Sequence, residues 1–298
     1  MTIFREYRAM LKNPAVEEWP DLLIFRPLAF LLVKLFVRLP ITPNQISYLA
    51  MITGLAGALH LARGDQKGFL IGAVFVALSA VIDCADGMVA RLKKNGTPTG
   101  RIVDGFVDYV VSIAAYLGLG FGLSKAVGQQ WLDLPHPAWF LVIAAGLSYM
   151  LHSLAADGYK KLYEEYVDGA KMTPRKEIEK YRGELDKMKG MPPRRFDKFL
   201  IRCYIRYLKL QISKYRTEPP DVPPEVYKSH NLRLISLWNV IGPSVHILFF
   251  VIAAATYRPR IFFFYTIVFA NLWVLILLPI QIYVNRTMFR KFETTESA

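Results

Sequence analysis

Six apolar stretches, each close to the length of a membrane-spanning helix, constrain the fold of this chain more than any other feature. They lie at residues 45–62, 68–91, 102–123, 138–156, 234–257 and 261–283. A helix that crosses the hydrocarbon core of a bilayer needs about 20 apolar residues. Because hydrophobic residues also make up 53% of the 298 residues, we predict an all-α integral membrane protein with six transmembrane helices.

The segment before the first stretch has a different character. Its sequence, "DLLIFRPLAFLLVKLFVRLP", is apolar but is interrupted by Arg26, Lys34 and Arg38 and by two prolines. Such interruptions favour a helix that lies in the membrane interface over one that spans it. We therefore expect residues 1–42 to form a cytoplasmic N-terminus and an interfacial amphipathic helix.

The distribution of basic residues predicts the orientation. With the N-terminus in the cytoplasm, 32 of the 37 Lys and Arg residues fall on one side of the six helices, and the positive-inside rule makes that side cytoplasmic. Residues 43–156 then hold helices 1–4, residues 157–233 a basic helical cytoplasmic insertion, residues 234–285 helices 5 and 6, and residues 286–298 a cytoplasmic tail. The net charge of +13 is compatible with nucleic acid or with anionic lipid and phosphate-bearing substrates, and the six spans favour the second interpretation, so we expect no nucleic-acid partner.

The insertion contains a basic amphipathic segment, "RRFDKFLIRCYIRYLKLQISKYR". Helical spacing predicts one apolar face and one basic face. The predicted apolar face consists of Phe196, Leu200, Cys203, Tyr207 and Leu210, and the basic face of Arg195, Lys198, Arg202, Arg206 and Lys209. Such a helix could dock onto anionic lipid or pack against the cytoplasmic face of the protein itself, and the sequence leaves both interpretations open.

Four aspartates lie inside or beside the second and third apolar stretches. Asp83 and Asp86 are three residues apart, and Asp104 and Asp108 are four apart, so each pair shares one helix face. The turn "NGTPTG" makes the two helices antiparallel neighbours, so that the four carboxylates can converge just below the cytoplasmic surface. An ionised Asp in a membrane helix costs roughly 2.5–3.5 kcal/mol, and four that repel one another require compensation.

Divalent cations are the natural compensation for this cluster. Oxygen ligands without His or Cys favour Mg²⁺, Mn²⁺ or Ca²⁺, and two ions could share four carboxylates while leaving positions for a diphosphate. Gly87 and Ala90 would let a nucleotide approach the helix backbone, and Arg91 would stand over its phosphates. The pattern thus predicts a site for a nucleoside diphosphate ester.

The spacing of these residues resembles the signature of the CDP-alcohol phosphotransferase family. The pattern D-x2-D-G-x2-A-R-x8-G-x3-D-x3-D is matched by Asp83, Asp86, Gly87, Ala90, Arg91, Gly100, Asp104 and Asp108. The resemblance implies a surface helix followed by six membrane helices, a cytosol-facing site and a homodimer. It implies transfer of a phosphoalcohol from a CDP-alcohol to the hydroxyl of a second alcohol, with release of CMP.

The resemblance also implies roles for these residues. Asp83, Asp86 and Asp104 would hold two Mg²⁺ or Mn²⁺ ions, while Asp108 would accept the proton of the attacking hydroxyl and could also contact a metal. The nucleotide-binding residues would be Asp83, Gly87, Ala90, Arg91 and Gly100.

The substrates are less constrained than the reaction. Larger members of the family that use lipid acceptors have additional helices, so six spans favour CDP-diacylglycerol as donor and a polar alcohol or polyol phosphate as acceptor, although the insertion is longer than in compact bacterial members. One alternative is a donor of the CDP-choline or CDP-inositol type with a lipid or polyol phosphate acceptor. An alternative of another class is an intramembrane divalent-cation transporter, but transport would not require Gly87, Arg91 and Gly100.

Several further polar residues have two interpretations. Arg101, Arg233 and His230, near the cytoplasmic membrane edge, could bind the phosphate of a phosphorylated acceptor or could extend to the interface as membrane-edge residues commonly do. His152 and His246 lie within apolar stretches and are expected to be hydrogen-bonded packing residues, although they could also reach the acceptor. Asn44 could contact the nucleotide, but it is better explained as a residue that shapes its turn.

Overall fold

Helices account for every regular element in the part of the chain that the computed structural model describes, which is residues 7–8, 10–11, 13, 15–126, 137–169, 174–188, 195–212 and 222–296. The helices are α1 Arg26–Phe36, α2 Pro43–Leu61, α3 Gln66–Lys93, α4 Pro98–Ala126, α5 Pro137–Val167, α6 Pro174–Lys187, α7 Arg195–Ile212, α8 Pro224–Trp238, α9 Pro243–Ala255, α10 Pro259–Phe263 and α11 Ala270–Glu296. Short π-helical segments at Asp21–Phe25 and Phe264–Phe269 precede α1 and α11, and a 3-10 segment at Asn239–Ile241 precedes α9. The predicted all-α fold class is confirmed.

Five helical segments within the described residues are long and apolar enough to cross a membrane. They are Gln66–Lys93, Thr99–Lys125, Ala138–Val167, Pro224–Ala255 and Pro259–Phe292, and they correspond to the second to sixth predicted spans. The first predicted span coincides with α2, whose 19 residues include polar side chains such as Gln45, Ser47 and His60. The structure therefore supports a multi-pass membrane protein.

Helix α2 packs directly against both α3 and α4, the two helices that carry the aspartates. A Cβ atom on Gly54 would lie 2.5 Å from Cγ1 of Val111 and 2.9 Å from Oγ of Ser79, so a larger residue would force the three helices apart. At the same level the Ser79 hydroxyl donates a hydrogen bond of 2.7 Å to the carbonyl of Ala50. Small residues in α2 thus hold α3 and α4 close together.

The fifth predicted span is broken at Gly242–Pro243. Proline has no N–H and favours an extended conformation in the residue before it; Gly242 has φ −73° and ψ 167°. The break creates a new helix N-terminus, where the backbone N–H groups of Ser244 and Val245 donate to Oε2 of Glu18 at 2.9 and 3.2 Å. An acidic cap of this kind satisfies free donors and interacts favourably with the helix dipole.

Glu18 also joins the N-terminal segment to α5. Its Oε1 lies 2.7 Å from Nζ of Lys160, a residue in the part of α5 that continues beyond the predicted end of the fourth span. Burial raises the pKa of the Glu18 carboxyl to about 7, although the charge of Lys160 opposes this shift. One buried carboxylate therefore connects the N-terminal segment, α5 and α9.

Arg26 is not an exposed charge that interrupts a surface helix, as the sequence suggested. Its side chain is buried and its Nε lies 2.7 Å from Oε2 of Glu17, which is also buried. The turn before α1 places this partner within reach, and that placement is not visible in the sequence. Leu28, Leu31 and Leu35 of α1 are exposed.

The described part of the insertion is a pair of helices, α6 and α7, packed on each other. Ile178 and Tyr181 of α6 and Ile201, Ile205 and Leu208 of α7 form their common core, while Leu200 packs against Val103 and Val107 of α4. The predicted apolar face needs correction, because Cys203 is exposed and the buried stripe is displaced by contact with two partners. The side chains of Phe196, Tyr207 and Leu210 lie outside the described residues.

We expect Glu18→Ala to destabilise the protein by about 3–5 kcal/mol, because it removes the partner of a buried lysine and uncaps α9. The melting temperature of the purified protein in detergent measures this loss. Glu184→Ala is the matched control: its more exposed pair with Lys187, at 3.0 Å, should contribute only about 0–1 kcal/mol. Equal melting temperatures for the two variants would contradict the role of Glu18.

Candidate active site

Three of the four predicted aspartates form one compact cluster. Asp83 and Asp86 on α3 and Asp104 on α4 each offer a carboxylate oxygen, and these oxygens lie within 4.8 Å of one another. Two oxygens on opposite sides of one Mg²⁺ are about 4 Å apart, so the cluster has the size and the chemistry to hold divalent cations. Asp86 is buried, while Asp83 and Asp104 are half-buried.

A serine of α2 positions the most buried member of the cluster. The Ser47 hydroxyl donates a short hydrogen bond to Oδ2 of Asp86 and lies 3.2 Å from the Pro43 carbonyl of the preceding turn. A neutral donor orients a carboxylate without neutralising it. Ser47 thus orients the Asp86 carboxylate and adds no positive charge to the cluster.

The turn between α3 and α4 brings the two pairs of aspartates together. Helix α3 ends at Lys94, which has a left-handed conformation with φ 51°, and α4 begins where the Gly100 N–H donates to Oγ1 of Thr97 at 3.0 Å. Lys93 fixes the same end by donating to the carbonyls of Phe36, Leu39 and Ile41, at 3.4, 3.2 and 3.1 Å. The predicted antiparallel arrangement of the two helices follows from this turn.

Asp108 lies one helical turn beyond Asp104 and has a separate setting. It is not a member of the cluster of three; together with Asp83 it lines a cavity that continues between the helices. The structure thus separates three carboxylates that converge from a fourth, exposed one that borders the cavity between the helices. Both kinds of carboxylate were predicted to belong to one site.

The other signature residues surround the cluster. A Cβ on Gly87 would lie 3.4 Å from Nη1 of Arg91, so the guanidinium covers the glycine on the same helix face. Nε of Arg91 donates to the carbonyl of Met10 at 2.5 Å, which ties the arginine to the N-terminal segment. A Cβ on Gly100 would lie 3.0 Å from Oδ1 of Asn44. Ala90 is half-buried on the same helix.

The remaining predicted residues lie elsewhere. Arg101, Arg233 and His230 are exposed, and their contact with an acceptor phosphate stays a prediction. His152 and His246 are buried, and their ring nitrogens Nδ1 and Nε2 are 3.3 Å apart, which confirms them as hydrogen-bonded packing residues. His246 also lines the cavity.

The sequence interpretation missed Ser47 and Tyr116. Ser47 heads a stripe of small residues on α2 with Ala50 and Gly54, a spacing that could have indicated a close helix contact. Tyr116 follows Asp108 by eight residues, that is, by two steps of four on one face of α4. Both signals were present in the sequence.

Comparisons with known proteins agree with this geometry. Residues 40–172 match the CDP-alcohol phosphatidyltransferase family. A bifunctional IPC transferase and DIPP synthase from Rubrobacter xylanophilus is 30% identical over 97 residues, which are 31% of this chain and 22% of that protein. A phosphatidylinositol phosphate synthase from Corynebacterium glutamicum is 30% identical over 128 residues, which are 43% of this chain and 52% of that protein.

The matched regions therefore span about half or less of these curated relatives. All eight signature residues lie inside the matched segment. The match to the CDP-alcohol phosphatidyltransferase family over residues 40–172 includes the complete carboxylate cluster, as the signature predicted.

Proposed function

We propose that this protein transfers the phosphoalcohol group of a CDP-alcohol to the hydroxyl of a second alcohol and releases CMP, in the synthesis of phospholipid head groups. The observation that carries this proposal is the convergence of Asp83, Asp86 and Asp104 within 4.8 Å, inside a segment that matches the family. A carboxylate cluster between membrane helices has a large electrostatic penalty unless it binds cations. A diphosphate is also negative, so it would bind to the cluster through those cations.

In this proposal Asp83, Asp86 and Asp104 hold two Mg²⁺ or Mn²⁺ ions. When bound, these ions supply charge neutralisation for the phosphoryl oxygens and for the departing CMP. Ser47 keeps the Asp86 carboxylate oriented towards the other two. Asp108, which borders the cavity, is the base and could also contact a metal.

The reaction requires one bond to form and one to break. The acceptor oxygen attacks the phosphorus that carries the donor alcohol, its proton passes to a carboxylate oxygen of Asp108, and the bond to the CMP oxygen breaks. A carboxylate within hydrogen-bond reach of the hydroxyl is suited to this role. Gly87, Ala90, Arg91 and Gly100 bind the nucleotide, which requires the Arg91 guanidinium to contact phosphate from its position over Gly87.

We propose CDP-diacylglycerol as the donor and a polar alcohol or polyol phosphate as the acceptor. One relative is named a phosphatidylinositol phosphate synthase, and this supports a phosphatidyl donor for the present chain as well. Arg101 and Arg233 are exposed and are the candidates for binding an acceptor phosphate. The alternative is a small head group carried by CDP.

The proposed topology has six transmembrane helices, with α2 as the first and α1 in the interface. The excess of basic residues on one side supports a cytoplasmic position for both termini and for the active site. We also propose a homodimer. Divalent-cation transport remains the competing function for an intramembrane carboxylate cluster, and metal-dependent release of CMP distinguishes the two.

Metal removal is the first test of the site. EDTA should reduce CMP release to background, and added Mg²⁺ or Mn²⁺ should restore it, because the only ligands in the cluster are carboxylates. Asp86→Ala should remove activity, whereas Asp65→Asn, a change of an exposed capping residue at the other end of α3, should retain it. Full turnover without divalent ions would exclude the two-ion site.

The donor is tested by two series of incubations with purified protein. The first contains CDP-diacylglycerol with glycerol phosphate, serine, inositol or inositol phosphate, and the second contains CDP-choline or CDP-inositol with lipid alcohols. We expect CMP in the first series only. CMP confined to the second series would exclude the lipid-nucleotide donor.

Asp108→Asn should separate binding from chemistry. Asparagine keeps the shape and one oxygen ligand but cannot accept a proton at neutral pH, so metal-dependent binding of the CDP-donor should persist while turnover falls by roughly 100-fold or more. Calorimetric titration with the donor and a CMP assay measure the two effects. Asp104→Asn is the matched variant, and it should weaken donor binding; near-normal turnover in Asp108→Asn would assign the base elsewhere.

A further inference from the structure

A cavity of about 100 Å³ continues from the carboxylates into the helix bundle. Asp83 and Asp108 border it at the end near the cluster, and Tyr116, Tyr149, His246 and Phe262 line it further away. One water molecule needs roughly 10–15 Å³ of such space. The cavity can therefore hold several waters or a small organic molecule.

One face of α4 connects the proposed base to the far part of the cavity. Asp104, Asp108, Ser112 and Tyr116 follow one another at intervals of four residues, which places them on one side of the helix. The last three line the cavity. A molecule in contact with Asp108 would therefore meet Ser112 and Tyr116 along the same wall.

The hydroxyl of Tyr116 is buried and has no hydrogen-bond partner among the described residues. The ring itself is held by aromatic neighbours, with centroids 5.7 Å from Phe262 and 5.9 Å from Tyr149. A buried hydroxyl without a partner is unfavourable. Since the ring position is fixed by packing, a partner for this hydroxyl has to come from the cavity, as a water or as a ligand hydroxyl.

His246, which lines the same cavity, differs from Tyr116 because its ring nitrogens already have hydrogen-bond partners. Nε2 of His246 lies 3.3 Å from Nδ1 of His152, and Nδ1 of His246 lies 3.3 Å from Oγ1 of Thr266. Both ring nitrogens therefore have partners within the protein. Tyr116, rather than His246, offers a hydrogen bond to a ligand.

The charges around the cavity restrict what it can hold. Its described lining is mostly apolar, with several hydroxyl groups and carboxylates but no lysine or arginine. A phosphate group placed deep in the cavity would find no cationic side chain there, whereas an uncharged hydroxyl compound would find hydrogen-bonding groups at both ends. The basic candidates Arg101 and Arg233 are exposed to solvent instead.

We propose that the cavity binds the uncharged, hydroxyl-bearing part of the acceptor alcohol, and that the Tyr116 hydroxyl hydrogen-bonds to an acceptor hydroxyl other than the one that attacks. Any phosphate on the acceptor stays outside the cavity. Tyr116 is then a specificity residue for polyols. This inference rests on the proposed transferase function.

The test compares Tyr116→Phe with the wild type, using the purified full chain with Mg²⁺ and CDP-diacylglycerol. The acceptors are inositol, inositol phosphate, glycerol, glycerol phosphate and serine. Loss of one hydrogen bond should raise KM for the polyol that the wild type uses by roughly fivefold, with the KM for the donor unchanged. Tyr109→Phe is the control, since Tyr109 lies on the same helix but is 71% exposed.

A second measurement uses both the wild type and Tyr116→Phe with deoxy forms of the same polyol. For the analogue that lacks the hydroxyl bound by Tyr116, the KM difference between wild type and Tyr116→Phe should disappear, as for any pair of changes that removes one contact. A fall in the affinity for donor and acceptor alike would indicate a structural role and would overturn the proposal.

The remaining outcomes are also decisive. An unchanged acceptor KM in Tyr116→Phe, or a wild type that uses serine alone, overturns the inference while the transferase function stands. Absence of CMP release by the wild type with every donor and acceptor overturns the proposed function, and the inference fails with it.

Discussion

Electrostatic repulsion among carboxylates inside a membrane helix pair is the constraint on which the rest of this structure depends. Three acidic oxygens within 4.8 Å would push α3 and α4 apart if nothing held them. Helix α2 holds them, because Gly54 lets it lie against both helices and Ser47 and Ala50 bond to residues on α3. The packing of α2 therefore gives rigid support to a carboxylate cluster whose negative charge favours the binding of cations.

The acidic residues of the N-terminal segment differ from the aspartates of the cluster, because their charges are paired with cations of the protein itself. Glu17 and Glu18 each lie 2.7 Å from a buried cation of the protein, Arg26 or Lys160, and burial raises the pKa of Glu18 to about 7. Asp86 is held instead by the neutral hydroxyl of Ser47. Glu17 and Glu18 are thus paired with cations of the protein itself, and Glu18 also caps the break in the α8–α9 segment, whereas Ser47 adds no positive charge to the aspartate cluster.

The sequence predicts the features that depend on spacing along one helix. Apolar length predicts the helical fold class, and the intervals between Asp83, Asp86 and Asp104 predict that their carboxylates converge, because those intervals fix the helix faces. The turn at Asn95-Gly96 predicts that α3 and α4 are neighbours, so that the two helix faces meet.

Contacts between elements distant in the sequence could not be predicted in the same way. The burial of Arg26 depends on Glu17 in a preceding turn, and the bond from Arg91 to the Met10 carbonyl depends on the path of the N-terminal segment. The buried face of α7 was misassigned at Cys203, because this helix packs against both α6 and α4 and a single amphipathic stripe does not describe two partners. The unpartnered hydroxyl of Tyr116 is visible only when the cavity is known.

Titration of the purified protein with Mn²⁺, followed by electron paramagnetic resonance, tests the central claim most directly. If Asp83, Asp86 and Asp104 form a cation site, the wild type will show saturable binding of two Mn²⁺ ions per chain, and Asp86→Asn will weaken that binding while Asp65→Asn leaves it intact. Absence of saturable binding in the wild type, or equal binding in Asp86→Asn and the wild type, would contradict the assignment of this cluster as the metal site.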